Sequence, residues 1–444
     1  MSKYFGTDGV RGRVGMAPMT VDFALRLASA TARVLAPQGG SVLIGKDTRL
    51  SGYMFESALE AGFVAAGVNV LLAGPLPTPG IAYLCRRLRT DFGIVISASH
   101  NAYHDNGIKI FEGAGDKLSD ELEAAIEELI DDDPITNSSS GLGLAKRIDS
   151  ARTDYQWFCR STVPPEMSFT DMQVAIDCSH GAAYKVAPRV FAELGADIIP
   201  IGCSPNGRNI NLKCGSTHPE LLQATVVGVG ANVGIALDGD GDRVVMVDEN
   251  GALIDGDQLI HLLALDALER GTLRGPVVGT VMSNLGLQRS LESHGIQFLR
   301  AAVGDRNVLA LLKQTGGQLG GETSGHIIDL GRTTTGDGLI TALSVLSVMR
   351  SSGRSLSELA GAMPRFPQTM INVRIDSVPE LDSGPVAAVV ESVEQRLGDR
   401  GRVVLRPSGT EPLIRVMVEG EDEAEVVATA EEIAAAVRAA SGHD

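Results

Sequence analysis

The chain has 444 residues, 44% hydrophobic but only 4% aromatic, and a formal net charge of −17 at pH 7. That length exceeds one ordinary core and calls for about two to four domains with Val, Ile, Leu and Ala inside. The acidic balance argues against nucleic acid or an anionic membrane as partner, and no apolar run approaches the roughly 20 residues that span a bilayer. The opening MSKYFGTDG has no basic segment followed by an apolar one, so no signal peptide is expected and the cytoplasm is the expected compartment. Five cysteines (Cys85, Cys159, Cys178, Cys203 and Cys214) are an odd number without CxxC spacing, which predicts free thiols rather than a disulfide framework or a zinc site.

In chain order, FGTDGVRG at 5–12 precedes a first strand–turn–helix–strand pattern at 42–74, with VLIG, the turn KDTR, a helical stretch and GVNVLLAG. The segment 93–111, GIVISASHNAYHDNGIKIF, follows; Ile94, Val95 and Ile96 form an apolar run typical of a buried strand, which stops at small, polar, turn-prone residues. After the loop-like TNSSSGLG at 136–143, the pattern returns at 174–202 (VAID, CSHG, helix, GADIIPIG) and at 277–304 (VVGTV, MSN, helix, GIQFLRAAVG). Each copy is a βαβ unit with a parallel pair. Past Pro367 the grammar changes to MINVRI, a helix over about 386–397, the run GRVVLRPSGTEPLIRVMVEG and an Ala-Glu-rich helix. The expectation is an α/β chain: three related α/β domains with mixed or parallel sheets at 1–147, 148–250 and 251–364, and a smaller α+β domain at 365–444.

Four loops carry chemistry. Ser99 stands at a strand exit beside His100, with Lys109 nearby, a setting in which a hydroxyl can carry a covalent group; Ser97 is the competing hydroxyl. In VGIALDGDGDRVVMV at 233–247, Asp238, Asp240 and Asp242 alternate with glycines that let them converge. Carboxylates that close repel unless a cation or protons neutralise them, and hard oxygen ligands favour Mg²⁺ or Ca²⁺ over zinc. A calcium helix-loop-helix would use these three with Glu249, but it needs Gly where Arg243 stands, and the flanks look like strands. GGETSGH at 320–326 offers Glu322, Ser324 and His326, which suit the hydroxyls of a sugar. RPSGTEPLIR at 406–415 offers Ser408, Gly409 and Thr410 between Arg406 and Arg415, which suit a phosphate. In an acidic chain these loops concentrate the cations Arg11, Lys109, Arg243, Arg306, Arg406 and Arg415, which argues that they form one site. Read separately, each loop is also compatible with an ordinary surface turn.

FGTDGVRG, SASHN, DGDGDR, GETSGH and RPSGTEP, in that order and spread over the whole chain, resemble the α-D-phosphohexomutases. FGTDGVRG continued by GKDTRLSG most resembles the bacterial branch that acts on glucosamine phosphate; Ala102 stands where the family usually has Pro, and Thr323 where this branch often has Gln. The resemblance implies three related α/β domains and a distinct fourth around a central cleft. It implies that Ser99 is a phosphoserine that phosphorylates O1 of glucosamine 6-phosphate and is rephosphorylated from the 6-position of a bisphosphate intermediate, with a hexose or glucosamine bisphosphate as primer. Asp238, Asp240, Asp242 and the Ser99 phosphate would hold one Mg²⁺, and Lys109 and Arg11 would flank the phosphoserine, either one assisting proton transfer at the attacking hydroxyl. His100 would position the loop, His326 would contact the sugar or help shuttle protons, Arg243, Glu322 and Ser324 would meet the substrate, and the 406–415 loop would grip the phosphate that is not reacting. The partner implied is a small-molecule sugar phosphate; a homodimer is left open. Rival readings are a phosphomannomutase or phosphoglucomutase of the same family, a metal-dependent sugar phosphatase, and a non-catalytic cation- or sugar-phosphate-binding protein.

Overall fold

The computed structural model describes residues 3–6, 8–375, 380–381, 383–407 and 412–441. Its strands form four sheets, of six, five, four and three strands. In the first, Gly40–Lys46 pairs in parallel with Val68–Pro75 and Phe92–Ile96, and Val68–Pro75 with Ala145–Arg147. In the second, Gln173–Asp177 pairs in parallel with Asp197–Ile201 and Val233–Leu237. In the third, Val277–Thr280 pairs in parallel with Phe298–Ala301 and Leu319–Gly321. These parallel pairs are the repeated βαβ units expected from the sequence. The fourth sheet is antiparallel throughout, with Leu413–Gly420 between Gln368–Arg374 and Gly401–Pro407.

Each α/β sheet also contains an antiparallel hairpin, and the candidate loops lie at the turns of these hairpins. Phe92–Ile96 pairs antiparallel with Asp105–Glu112, Val233–Leu237 with Val244–Val247, and Leu319–Gly321 with Ile327–Asp329. The three hairpin tips are the Ser99 loop, the aspartate loop and the Glu322–His326 loop. The strands behind them are apolar and buried: Phe92–Ile96 and Val233–Leu237 are buried at every position. A buried strand pair needs all its backbone groups bonded, so the turns carry most of the site, and Lys109 joins it from within the return strand Asp105–Glu112.

The first three units share one continuous apolar core, which includes Leu43 and Ile81, Val174 and Ile235, and Leu343 and Leu346. The fourth has a separate core of Val373, Val393, Val416 and Ile433. The helix Ala151–Ser161 joins the shared core through Tyr155, whose hydroxyl donates to Asp337 Oδ2 at 2.8 Å. Asp337 in turn caps the helix Gly338–Ser352, accepting from Leu339 and Ile340 N–H at 3.0 Å. All five cysteines are free thiols, four of them buried.

A fully buried arginine sets the shape of the Ser99 loop. Arg49 donates Nε to Asp47 Oδ2 at 2.7 Å, and its fork reaches four carbonyls of that loop: Ser99 at 3.0 Å, Asn101 at 2.8 Å, Asp105 at 3.1 Å, and Ala102. Asp47 also accepts from Ser97 Oγ at 2.6 Å. A planar five-donor fork matches such converging acceptors, and a lysine cannot replace it.

Arg49→Lys should lower unfolding free energy by about 2–4 kcal/mol, because loop carbonyls lose their donors inside the protein; an unchanged urea midpoint would contradict it. Burial raises the Asp337 carboxyl from 3.8 to about 6. A raised carboxyl stabilises the fold fully below its unfolded value and loses that contribution as pH climbs through the folded value, here about 3 kcal/mol between roughly pH 4 and 6. Asp337→Asn keeps the capping oxygen and should flatten this decline in melting temperature; a variant that tracks the parent across that window would refute the assignment.

Candidate active site

The Ser99 loop and the aspartate loop meet face to face. Ser99 is 1% exposed and holds φ of 50°, a strained conformation for a residue with a side chain. Arg49 and Asn211 Nδ2, at 2.8 Å, both grip its carbonyl. Its Oγ then donates to Asp238 Oδ2 at 2.5 Å. Ser97, by contrast, is locked: its hydroxyl donates to Asp47 and accepts from Ser99 N–H at 3.0 Å. Of the two serines considered, Ser99 is the one that faces the carboxylates.

The glycines of DGDGDR explain the close approach. A Cβ on Gly239 would lie 2.5 Å from the Ser99 carbonyl oxygen, so only glycine lets the two tips touch. Gly241 has φ of 72°, a left-handed turn that suits glycine. Further along, Val244 N–H donates to the Gly325 carbonyl at 3.0 Å, which seats the third tip on the second. Glu249 is bonded to Ser357, and strands flank the aspartates, so a calcium helix-loop-helix is excluded.

Asp238, Asp240 and Asp242 are buried, with ligand oxygens that all lie within 4.8 Å of one another. Asp240 Oδ2 accepts from Thr78 Oγ1 at 2.6 Å. Asp240 Oδ1 and Asp242 Oδ1 are buried and have no hydrogen-bond partner among the described residues. Burial first, and then the charges of Asp242 and Asp240, push the Asp238 carboxyl well above the usual carboxylate range. Burial also opposes ionisation of Asp242, but Lys109, His326 and Arg243 outweigh it and hold that carboxyl well below the range. Hard, converging oxygens with orphaned lone pairs and uncompensated charge fit a divalent cation of the magnesium or calcium type.

Lys109 enters this cluster from the strand that returns from the Ser99 loop. Its Nζ is 2.8 Å from Asp240 Oδ2, 2.8 Å from Asp8 Oδ2 and 3.5 Å from Asp242 Oδ2. Burial works to lower its pKa, but Asp240, Asp8 and Asp242 outweigh burial and hold it well above the ordinary lysine value. Arg11, on the neighbouring strand, pairs with Asp8. His100 Nδ1 lies 3.5 Å from Ser99 Oγ. Burial, then Arg243 and Arg11, lower its pKa to about 4, so the ring is neutral at neutral pH. His326 is fully enclosed, with Nδ1 3.7 Å from Asp242 and Nε2 3.5 Å from Asp305.

Most of the residues expected to share a site do so. Arg243 donates its N–H to Asp238 Oδ1 at 3.2 Å. Glu322 accepts from Gly304 N–H at 3.0 Å, and Ser324 Oγ is 3.5 Å from Glu322. In the fourth unit Arg406 and Arg415 are cross-strand partners, and Arg406 lies within electrostatic reach of Glu322. Ser408, Gly409 and Thr410 lie outside the described residues. Arg306 is a correction: its guanidinium is committed to Asp120 and Glu123 of the first unit, not to the cleft. Sequence reading gave no role to Asp8, Arg49, Thr78, Asn211 or Asp305. Asp8 and Arg49 lie inside the quoted motifs FGTDGVRG and GKDTRLSG, where a polar residue between glycines or beside a strand end was the available signal; the others carry no local signal.

Comparison with known proteins covers the same span. Four models of the phosphoglucomutase/phosphomannomutase family match: alpha/beta/alpha domains I, II and III at 2–135, 161–251 and 255–366, and the C-terminal domain at 370–436. The phosphoglucosamine mutase of Thioalkalivibrio sulfidiphilus is 55% identical over 446 residues, covering 99% of each chain. That of Alkalilimnicola ehrlichii is 56% identical over 440 residues, covering 99% of this chain and 98% of the relative. Among solved structures, a phosphoglucomutase/phosphomannomutase family protein from Burkholderia thailandensis shares the fold, with TM-score 0.82, 24% identity, and 98% and 97% of the two chains covered. Aspergillus fumigatus N-acetylphosphoglucosamine mutase in complex with GlcNAc-6P and magnesium also shares it, with TM-score 0.71, 17% identity, and 99% and 96% covered. With motifs, sheets and relatives aligned from end to end, the chain belongs to the phosphoglucomutase/phosphomannomutase family, the α-D-phosphohexomutases.

Proposed function

We propose that the protein interconverts glucosamine 6-phosphate and glucosamine 1-phosphate through a phosphoserine at Ser99 and a bisphosphate intermediate. The observation that carries the reaction type is the Ser99 hydroxyl, buried and 2.5 Å from Asp238 at the edge of a three-carboxylate cluster. The choice of glucosamine is supported by the full-length likeness to relatives named phosphoglucosamine mutase. The expected unit boundaries, 1–147, 148–250, 251–364 and 365–444, are supported by one sheet per unit, with the two-residue strand Leu253–Ile254 reaching back to the second sheet. Free thiols fit a reducing cytoplasm, where the product would feed amino-sugar nucleotide and cell-wall synthesis. Among the described residues no helix is long and apolar enough to cross a membrane.

In this reading Asp238, Asp240, Asp242 and a phosphate oxygen on Ser99 hold one Mg²⁺, which when bound withdraws charge from the transferring group. Phosphoryl transfer depends on placement and neutralisation more than on covalent invention. Arg49 and Asn211 fix the Ser99 backbone, and Thr78 orients Asp240. Lys109 and Arg11 flank Ser99 as cations; His100 is the neutral ring beside its oxygen. O1 of the sugar takes the phosphoryl group as its bond to Ser99 Oγ breaks, and the proton O1 loses ends on Ser99 Oγ; the bisphosphate turns over in the cleft, and in the second half the 6-phosphoryl returns to Ser99 Oγ while the proton of that hydroxyl passes to O6. Arg243, Glu322, Ser324 and His326 would meet the sugar, and Arg406, Ser408, Gly409, Thr410 and Arg415 the phosphate that is not reacting. The fourth unit, with a core of its own, suits a lid that closes on that phosphate and keeps water out.

Two experiments test this. With glucosamine 1,6-bisphosphate as primer, kcat/KM should be higher for glucosamine 6-phosphate than for the glucose and mannose esters. Ser99→Ala should lose about a thousandfold or more of it, while Ser97→Ala keeps a phosphate adduct at Ser99 by intact mass; activity that follows Ser97 instead would refute the nucleophile. Chelation should abolish turnover and Mg²⁺ restore it, and Asp240→Asn should weaken Mg²⁺ binding at least roughly tenfold by calorimetry; full turnover in excess chelator would exclude the metal role.

A further inference from the structure

Away from the reacting atoms, the first and third units meet along a seam of opposite charges. The first unit contributes residues 115–123, which follow the strand Asp105–Glu112. The third contributes the helix Asp305–Thr315. Lys313 pairs with Asp116 at 2.8 Å, Arg306 with Glu123 and Asp120, and Lys117 with Asp305. Thr334 Oγ1 adds a hydrogen bond to the Gly115 carbonyl at 2.7 Å. Each contact joins residues nearly two hundred or more positions apart, and every charge faces its opposite.

The helix held by this seam begins at the sugar loop. Gly304, its N-cap, donates its N–H to Glu322 Oε1 at 3.0 Å, and Asp305, its first residue, lies 3.5 Å from His326 Nε2. On the other side, Lys117 also binds Asp8, which binds Lys109. Asp305, Lys117, Asp8, Lys109 and Asp240 therefore form one chain of alternating charge from the sugar loop to the aspartate loop. A shift of the helix moves Glu322 and His326 with it. The hydrogen bonds of Ser99 and Arg49 go to other partners and none to this helix.

We propose that Lys117, Arg306 and Lys313 are positioning residues: they latch the third unit to the first and so set where Glu322 and His326 stand relative to Ser99. The consequence rests on the reading that Glu322 and His326 contact the sugar. Affinity for the sugar phosphate then depends on the latch, whereas phosphorylation of Ser99 does not depend on its Arg306 and Lys313 pairs, which involve neither Asp8 nor Lys109. Because three of the pairs are partly exposed, each contributes modestly and is weakened by salt.

The test uses the full chain with Arg306→Ala, Lys313→Glu, Asp116→Lys and the swapped pair Lys313→Glu/Asp116→Lys. Arg306→Ala should raise KM for glucosamine 6-phosphate roughly fivefold and Lys313→Glu roughly threefold, with kcat within about twofold of the parent. The swapped pair should return KM to the parent value. Hydrogen exchange of residues 319–326, measured without substrate, should quicken in the single variants and recover in the swap. Unchanged KM and unchanged exchange in Arg306→Ala and Lys313→Glu would overturn the proposal, as would a lesion that the swap does not repair. A chain inactive on every sugar phosphate would refute the mutase reading, while exchange of 319–326 would still report on the latch.

Discussion

The cleft depends on the burial of Lys109 among Asp8, Asp240 and Asp242. Isolated buried carboxylates cost several kcal/mol each, and removing one partner of such a group typically costs about 3–5 kcal/mol. A single ammonium, 2.8 Å from two of these carboxylates and 3.5 Å from the third, offsets part of that cost. It does so from the first unit, while Asp240 and Asp242 belong to the second sheet's hairpin. Charge compensation therefore binds the two units at the place where Ser99 must meet the aspartates. The compensation is incomplete: Asp238 is pushed upward and two carboxylate oxygens have no hydrogen bond among the described residues. What remains suits a divalent cation.

The same geometry weighs against water as acceptor. Ser99 is nearly sealed, and glycines at 239 and 325 let the three tips pack backbone to backbone. A phosphatase needs an ordered path for water to the phosphoryl group. Ser99 is held by Arg49, Asn211 and Asp238, and Arg243 lies within electrostatic reach of the neighbouring His100 and of Glu322, which Arg406 also reaches; the two guanidiniums suit a phosphate and the carboxylate a sugar hydroxyl.

Much of this was legible in the sequence because it is local. The apolar run before Ser99, the alternating Asp-Gly pattern and the repeated strand–turn–helix–strand units each specify their own element. The three hairpins are another matter: nothing in 92–96 announces that its return strand is 105–112 and antiparallel, since apolar runs do not encode their partners. Lys109, Arg11 and Arg243 lie at or beside the carboxylate cluster, and their seats in or beside the motifs make that proximity legible. Arg306 was misplaced for the same reason that Lys117 and Asp305 were overlooked: an ion pair between residues 183 or more apart depends on how units dock, which no window of sequence contains. Arg49 was visible only as part of KDTR, where it reads as a turn residue; its role appears when four carbonyls converge on it.

The central claim is that Ser99 passes its phosphoryl group to a sugar and not to water. Its most direct measurement is a single turnover: enzyme carrying labelled phosphate on Ser99 is mixed with unlabelled glucosamine 6-phosphate, quenched, and the label is followed by chromatography. The account predicts that label leaves the protein into glucosamine bisphosphate and then glucosamine 1-phosphate, with little inorganic phosphate. Label recovered chiefly as inorganic phosphate, or retained on the protein, would contradict it.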